Sequence, residues 1–167
     1  MLERLLGTFP DVIQLLRDDH KLVRSLFAQY ATARSGEKPQ IAHRIIHELT
    51  VHAAVEERVV YPAFRSVFKD PHIMYEAIEE HHLVQVLLEK LSRFRPGPGS
   101  TTFDARFHVL RDLVKRHVDE EESRIFPKAE ALRLDWKTLF EKAQRIKRQP
   151  PVKRQKKARH KAQARAA

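Results

Sequence analysis

The stretch 52-HAAVEERVVYP-62 returns as 117-HVDEEESRIFP-127. Each copy carries a histidine, a glutamate four places on, a second glutamate, an arginine and an aromatic-proline pair. Imidazole and carboxylate without thiolate suit iron, manganese or zinc. The chain has no cysteine, which excludes a disulfide framework, a thiolate metal site and a cysteine nucleophile. No Gly-rich phosphate loop is present, no strand pattern could carry one, and nothing marks a Ser-His-Asp triad.

Residues four apart on a helix point the same way, so His52 with Glu56 and His117 with Glu121 share faces. The apolar spacing says that those faces are inward. Ile45, Leu49, His52, Glu56 and Val59 follow one stripe, and Leu110, Val114, His117, Glu121 and Ile125 follow another. His20 falls among Leu16, Val23, Phe27 and Tyr30, and His81 among Met74, Ala77, Val84 and Leu88. The likeness of 19-DHKLV-23 to 80-EHHLV-84 aligns His20 with His81 rather than with His82. Glu57 and Glu122 lie about 140° from their histidines and are expected to be outer-face charges. His43, His47, His72, His82, His108 and His160 are expected in solvent or in the tail.

Unpaired buried carboxylates cost several kcal/mol each, and the inward faces supply no Lys or Arg to Glu56 and Glu121. A metal cation is the missing charge. Two metals sharing two carboxylates, with histidines from different helices, fit the six residues better than one metal does. A mononuclear site and a plain bundle without cofactor are the competing readings.

The elements that must position these residues are helices. Apolar spacing of three and four predicts them at about 10–34, 39–68, 71–94 and 102–131. Thr8 and Pro10 introduce the first, Pro62 should kink the second, and Asp70-Pro71 opens the third. The loop 95-RPGPGSTT-102 precedes the fourth, and Asp135 caps a shorter helix at about 135–147. Because helices one and two match three and four, the expected fold is all-α: an up-down four-helix bundle built from a duplicated helical hairpin, with a short fifth helix.

Residues 142–167 hold 11 Lys/Arg and no acid; 32 − 11 leaves 21 basic against 22 acidic residues in 1–141, a net charge of −1. The expected division is therefore a bundle domain over 1–148 and a basic tail over 149–167, too poor in large apolar residues to fold alone. No window approaches a membrane span of about 18 apolar residues, and the N-terminus lacks the pattern of a secretory signal. A soluble cytoplasmic protein is the expectation.

With these residues in place, the chain resembles the hemerythrin-like, HHE cation-binding domain family over residues 11–130. The resemblance rests on His20 in "DDH", His52 and Glu56 in "HAAVE", His81 in "EEHH", and His117 and Glu121 in "HVDEE", with Tyr61-Pro62 and Phe126-Pro127 beyond. It implies two non-haem iron ions, ahead of manganese or zinc, with Glu56 and Glu121 bridging, the four histidines terminal, and an oxo or hydroxo bridge. Oxygen-carrying hemerythrins have two histidines four apart in the third helix and a His-to-Asp spacing of five in the fourth. Here Ala77 stands four before His81, and Glu121 lies four after His117. That departure leaves an extra coordination position, for which water, a substrate or Glu48 are candidates.

The leading functional expectation is a di-iron protein that binds, senses or reacts with dioxygen, nitric oxide or peroxide. An extra open position favours chemistry or sensing over reversible oxygen carriage. A catalase-like or oxidase enzyme at the same site is the alternative, and shared ligands leave carrier, sensor and enzyme open. A third reading places function in residues 148–167, whose cations suit nonspecific binding to nucleic acid or an anionic surface.

Overall fold

A computed structural model describes residues 11–68, 72–95 and 97–149. Thr8, Pro10, Asp70, Pro71, His160 and the tail from residue 150 lie outside the described residues. Within the described residues every regular element is helical. In chain order they are α1 (Val12–Thr32), α2 (Lys38–Val55), a π-turn (Glu56–Val60), α3 (Tyr61–Arg65), α4 (His72–Ser92), α5 (Thr101–Glu120), a second π-turn (Glu121–Ile125), α6 (Phe126–Glu130) and α7 (Trp136–Arg148). Each π-turn joins its flanking α segments without a break in helical backbone, so the described residues form five rods.

The first, fourth and fifth rods begin where side chains can satisfy the first free amides. Asp11 accepts from the Ile13 amide at 2.8 Å, and Asp135 accepts from the Thr138 amide at 3.0 Å; such caps are worth about 1 kcal/mol each. Ser100 caps α5, after a turn in which Gly99 takes φ 91°. Asp104 ties this end down by accepting from the Tyr30 hydroxyl at 2.6 Å and the Lys38 ammonium at 2.7 Å.

The first rod packs on the second, the second on α4, α4 on α5, and α5 back on α1. Helix α7 lies across α1, α2 and the first π-turn. Two apolar clusters fill the interior. One gathers Ile13, Leu16, Phe64, Met74, Phe126 and Leu139, and the other Phe27, Ile45, Leu88, Phe103 and Leu110. The inward polar residues lie in the sequence between members of these clusters: His20 between Leu16 and Val23, His81 between Ala77 and Val84.

Pro62, where a kink is expected, follows a wide turn. Its missing N–H cannot serve the carbonyl four residues back, and the ladder widens instead, with the Tyr61 amide donating to Glu56 O, five residues earlier. Pro127 follows the same device, with the Phe126 amide donating to Glu121 O. Single π-turns of this kind are frequent at functional sites.

Candidate metal centre

His20, His52, Glu56, His81, His117 and Glu121 come together in the interior, each 6% exposed or less. Glu56 is the first residue of one π-turn and Glu121 of the other. The wide turn has a further effect. In an α-helix Tyr61 would point about 140° away from Glu56, whereas here the i to i+5 bond stacks it above Glu56. The Tyr61 hydroxyl thus donates to Glu121 Oε1 at 2.9 Å and lies 3.3 Å from His117 Nε2. In the second repeat Phe126 occupies the equivalent place and stacks on His20, with ring centroids 5.8 Å apart.

The inward atoms converge on the two carboxylates. His52 Nε2 is 3.0 Å from Glu56 Oε1, and His81 Nε2 is 3.0 Å from Glu56 Oε2. His20 Nε2 is 3.4 Å and His117 Nε2 3.7 Å from Glu121 Oε2. Both Glu56 oxygens, Glu121 Oε2 and His20 Nε2 are nonetheless buried with no hydrogen bond of acceptable geometry. Buried carboxylate oxygens are rarely left so, and a cation among them removes the penalty. Two groups could each hold a metal ion: His20, His52, Glu56 and Glu121, and Glu56, His81 and His117. Glu56 belongs to both. The residues fit a pair of metals.

The outward nitrogens face four carboxylates. His20 Nδ1 is 2.9 Å from Glu122, His52 Nδ1 3.5 Å from Asp19, His81 Nδ1 3.5 Å from Glu57, and His117 Nδ1 3.6 Å from Glu80. A carboxylate hydrogen-bonded at Nδ1, as for His20 and His52, fixes the ring and turns Nε2 to the interior, as at metal-binding histidines generally, whereas His117 Nδ1 faces Glu80 without a hydrogen bond of acceptable geometry. Glu57 and Glu122 stay on the outer side as expected and take a further part there. Their side chains are 46% and 29% exposed, yet each reaches back to a histidine on another rod. Asp19 and Glu80 also escaped the sequence reading, although an acid directly before the histidine in both repeats was the available signal. Glu48 joins neither group; its carboxylate is 3.9 Å from Arg44. His43, His47, His72, His82 and His108 are exposed as expected.

Comparison with known proteins decides the family. The hemerythrin HHE cation binding domain matches residues 11–129. The chain belongs to the hemerythrin HHE cation-binding domain family. A curated relative, a DNA nickase from Nostoc sp., is 32% identical over 117 residues, covering 70% of this chain and 32% of that protein. The chain thus spans about a third of the length of this relative. A crystal structure of a hemerythrin HHE cation binding domain-containing protein from Mycobacterium kansasii superposes with a TM-score of 0.68 at 22% identity, covering 83% of this chain and 86% of that one. That likeness shows a shared hemerythrin-like fold.

The electrostatics of this HHE domain follow from its donor set. Burial would push His52 down, but the carboxylates of Glu56 and Asp19 outweigh it and hold the imidazole up at about 10. His81 is likewise lowered by burial and raised by Glu56 and Glu57, to about 9. Glu56 is raised by burial and lowered further by His52 and His81, leaving it well below the usual carboxylate range. Burial, then the Glu121 and Glu56 charges, push the Tyr61 phenol well up, so it stays a donor. Without a metal, protons on His52 and His81 offset the charge of Glu56.

On one side of the histidines lies a cavity of about 20 Å³, walled by Val23 of α1, Leu49 of α2, Val84 of α4 and Val114 of α5. A water needs about 10–15 Å³ by this measure, so the space suits one water or a diatomic molecule. Among the described residues no helix is long and apolar enough to cross a membrane.

Proposed function

We propose that this HHE domain holds two iron ions and binds, senses or reacts with a small ligand such as dioxygen, nitric oxide or peroxide in the apolar cavity beside them. The observation that carries the reading is the pair of histidine-carboxylate groups joined at Glu56, with buried oxygens that make no hydrogen bond of acceptable geometry. His20 and His52 would hold one iron, and His81 and His117 the other. Glu56 and Glu121 would span both, since Glu121 Oε2 also lies within reach of His117. Bound iron supplies ligand affinity and redox chemistry. The chain orients its imidazoles through four outer carboxylates, excludes bulk water with Val23, Leu49, Val84 and Val114, and keeps a proton on Tyr61 Oη beside Glu121.

We read the ring of packed rods as an up-down four-helix bundle made by duplication, and residues 1–148 as one domain followed by a basic extension over 149–167. The cavity size favours a diatomic ligand over a larger substrate. Elemental analysis of protein purified without chelator or histidine tag should find about two iron ions per chain. No bound metal after anaerobic reconstitution with ferrous iron would overturn the reading.

A second reading is favoured by the nickase named as a relative and by the 11 cations of residues 142–167. Those cations would bind nucleic acid nonspecifically, with affinity falling steeply as salt rises. A phosphodiester backbone is far too large for the cavity, so this role would not use the metal centre. Deleting residues 148–167 should abolish a salt-sensitive shift with duplex DNA; an unchanged shift would refute it.

A further inference from the structure

The outer carboxylates are each held by another residue, and the two repeats differ in where that residue comes from. In the second repeat Glu80, which faces His117, is paired at 2.7 Å with Arg116, the neighbour of that histidine in sequence. The alignment of His117 with His52 puts Val51 in the place of Arg116. Val51 is 7% exposed and carries no charge to offer Asp19. The cation comes instead from Lys147, whose ammonium is ion-paired with Asp19 Oδ1, while Asp19 Oδ2 faces His52 Nδ1. Lys147 sits in the last turn of α7, a helix outside the duplicated hairpins. Helix α7 is anchored at its other end by buried Leu139 and Ala143 and by Trp136, edge-on to Phe64 at 6.4 Å.

We propose that Lys147 is a positioning residue for the metal centre: through Asp19 it fixes the His52 ring, so the metal position of His20 and His52 depends on α7 and that of His81 and His117 does not. Burial raises the cost of the Asp19 charge, while His52 and Lys147 stabilise it. Its side chain is only 13% exposed, and that of Lys147 27%, so solvent screens this pair less than the Arg116 pair, where the arginine is 61% exposed. Without the ammonium, Asp19 gains by turning to water. His52 then loses the acceptor that keeps Nε2 directed at Glu56.

The inference rests on the two-metal reading, and its test separates the two. Ferrous iron would be titrated anaerobically into the full chain against a competing chelator, for wild type, Lys147→Ala, Lys147→Arg, Asp19→Asn and the Lys147→Ala/Asp19→Asn double variant. Loss of an orienting partner typically costs about tenfold or more in metal affinity. Lys147→Ala should therefore weaken one of the two binding steps about tenfold, leave the other unchanged, and add nothing in the Asp19→Asn background. Lys147→Arg should restore it. Wild-type affinity in Lys147→Ala, equal weakening of both steps, or a full further loss on top of Asp19→Asn would overturn the role of Lys147. A wild-type chain that takes up no iron would sink the two-metal reading and this inference with it.

Discussion

The two hairpins present the same inward atoms and different surroundings. His20, His52 and Glu56 are matched by His81, His117 and Glu121, and the outer carboxylates Asp19 and Glu57 are matched by Glu80 and Glu122. Around this shared frame the residues diverge. Tyr61 answers to Phe126, Arg116 to Val51, and Arg24, paired with Glu122 at 3.3 Å, to Gln85, hydrogen-bonded to Glu57. On the proposed two-metal reading, binding would constrain the donors of both repeats alike. It leaves the neighbours free to make the two positions chemically unequal, with a hydroxyl beside one and a stacked phenyl ring beside the other.

The shared frame breaks most severely at its common residue. Glu56→Gln keeps the volume but removes the charge that both metal groups use. The loss should exceed the 10–100-fold that removal of an orienting partner costs, about two orders of magnitude or more, and should empty both positions in elemental analysis. Retention of one metal per chain would mean that Glu56 serves a single position.

In pH behaviour the halves should agree. Without metal, His52 and His81 are held above their ordinary 6.5, at about 10 and about 9. Folded protein then binds more protons than unfolded chain over that window, so stability is fully present below pH 6.5 and lost as pH rises through 9 to 10. Glu56, held below its ordinary 4.5, contributes stability above that value that is lost as pH falls through its lowered pKa. Melting of the metal-free protein should therefore plateau between 4.5 and 6.5 and decline toward pH 10. Loaded protein should stay flatter on the alkaline side, because the metal takes the place of those protons. Parallel alkaline declines with and without metal would mean that histidine protons and metal do not compete.

The six inward residues were legible because two signals coincided. The H-x-x-x-E spacing recurred, and apolar residues flanked each position at helical intervals, as Leu16 and Val23 flank His20. The π-turns were not legible: an i to i+5 bond leaves no periodic mark, and a proline six residues after each glutamate reads equally as a kink. Nor was the reach of Glu57 and Glu122, outward as expected, to His81 and His20: a glutamate chain is long enough to touch a ring on the next rod. Lys147 could not be seen from sequence at all, since its pairing with Asp19 exists only once α7 packs across α1 and α2.

Making the aromatic pair alike should have an intermediate effect. Tyr61→Phe removes the donor to Glu121 Oε1 and copies Phe126 into the first repeat. In metal-free protein a buried oxygen is left without its hydrogen bond, at a cost of about 1–3 kcal/mol. In loaded protein the metal satisfies the same carboxylate, so the difference in melting between variant and wild type should shrink on loading. An equal loss in both forms would assign Tyr61 to packing alone.

The smallest effect is expected at the outermost layer. Arg24→Gln would give Glu122 the same kind of partner that Gln85 gives Glu57. Arg24 is 45% exposed and its pair with Glu122 is open to water, where such pairs are worth about 0–1 kcal/mol. Glu122 keeps its 2.9 Å contact with His20 whether or not the arginine is present, so iron affinity should change by less than about tenfold and melting only slightly. This contrasts with Lys147→Ala, where the cation is largely covered and the carboxylate behind it more so. If Arg24→Gln weakened iron binding as much as Lys147→Ala, charge at the carboxylate would govern the histidines regardless of exposure. The inequality between the repeats would then come from total charge rather than from the burial that α7 imposes on one side.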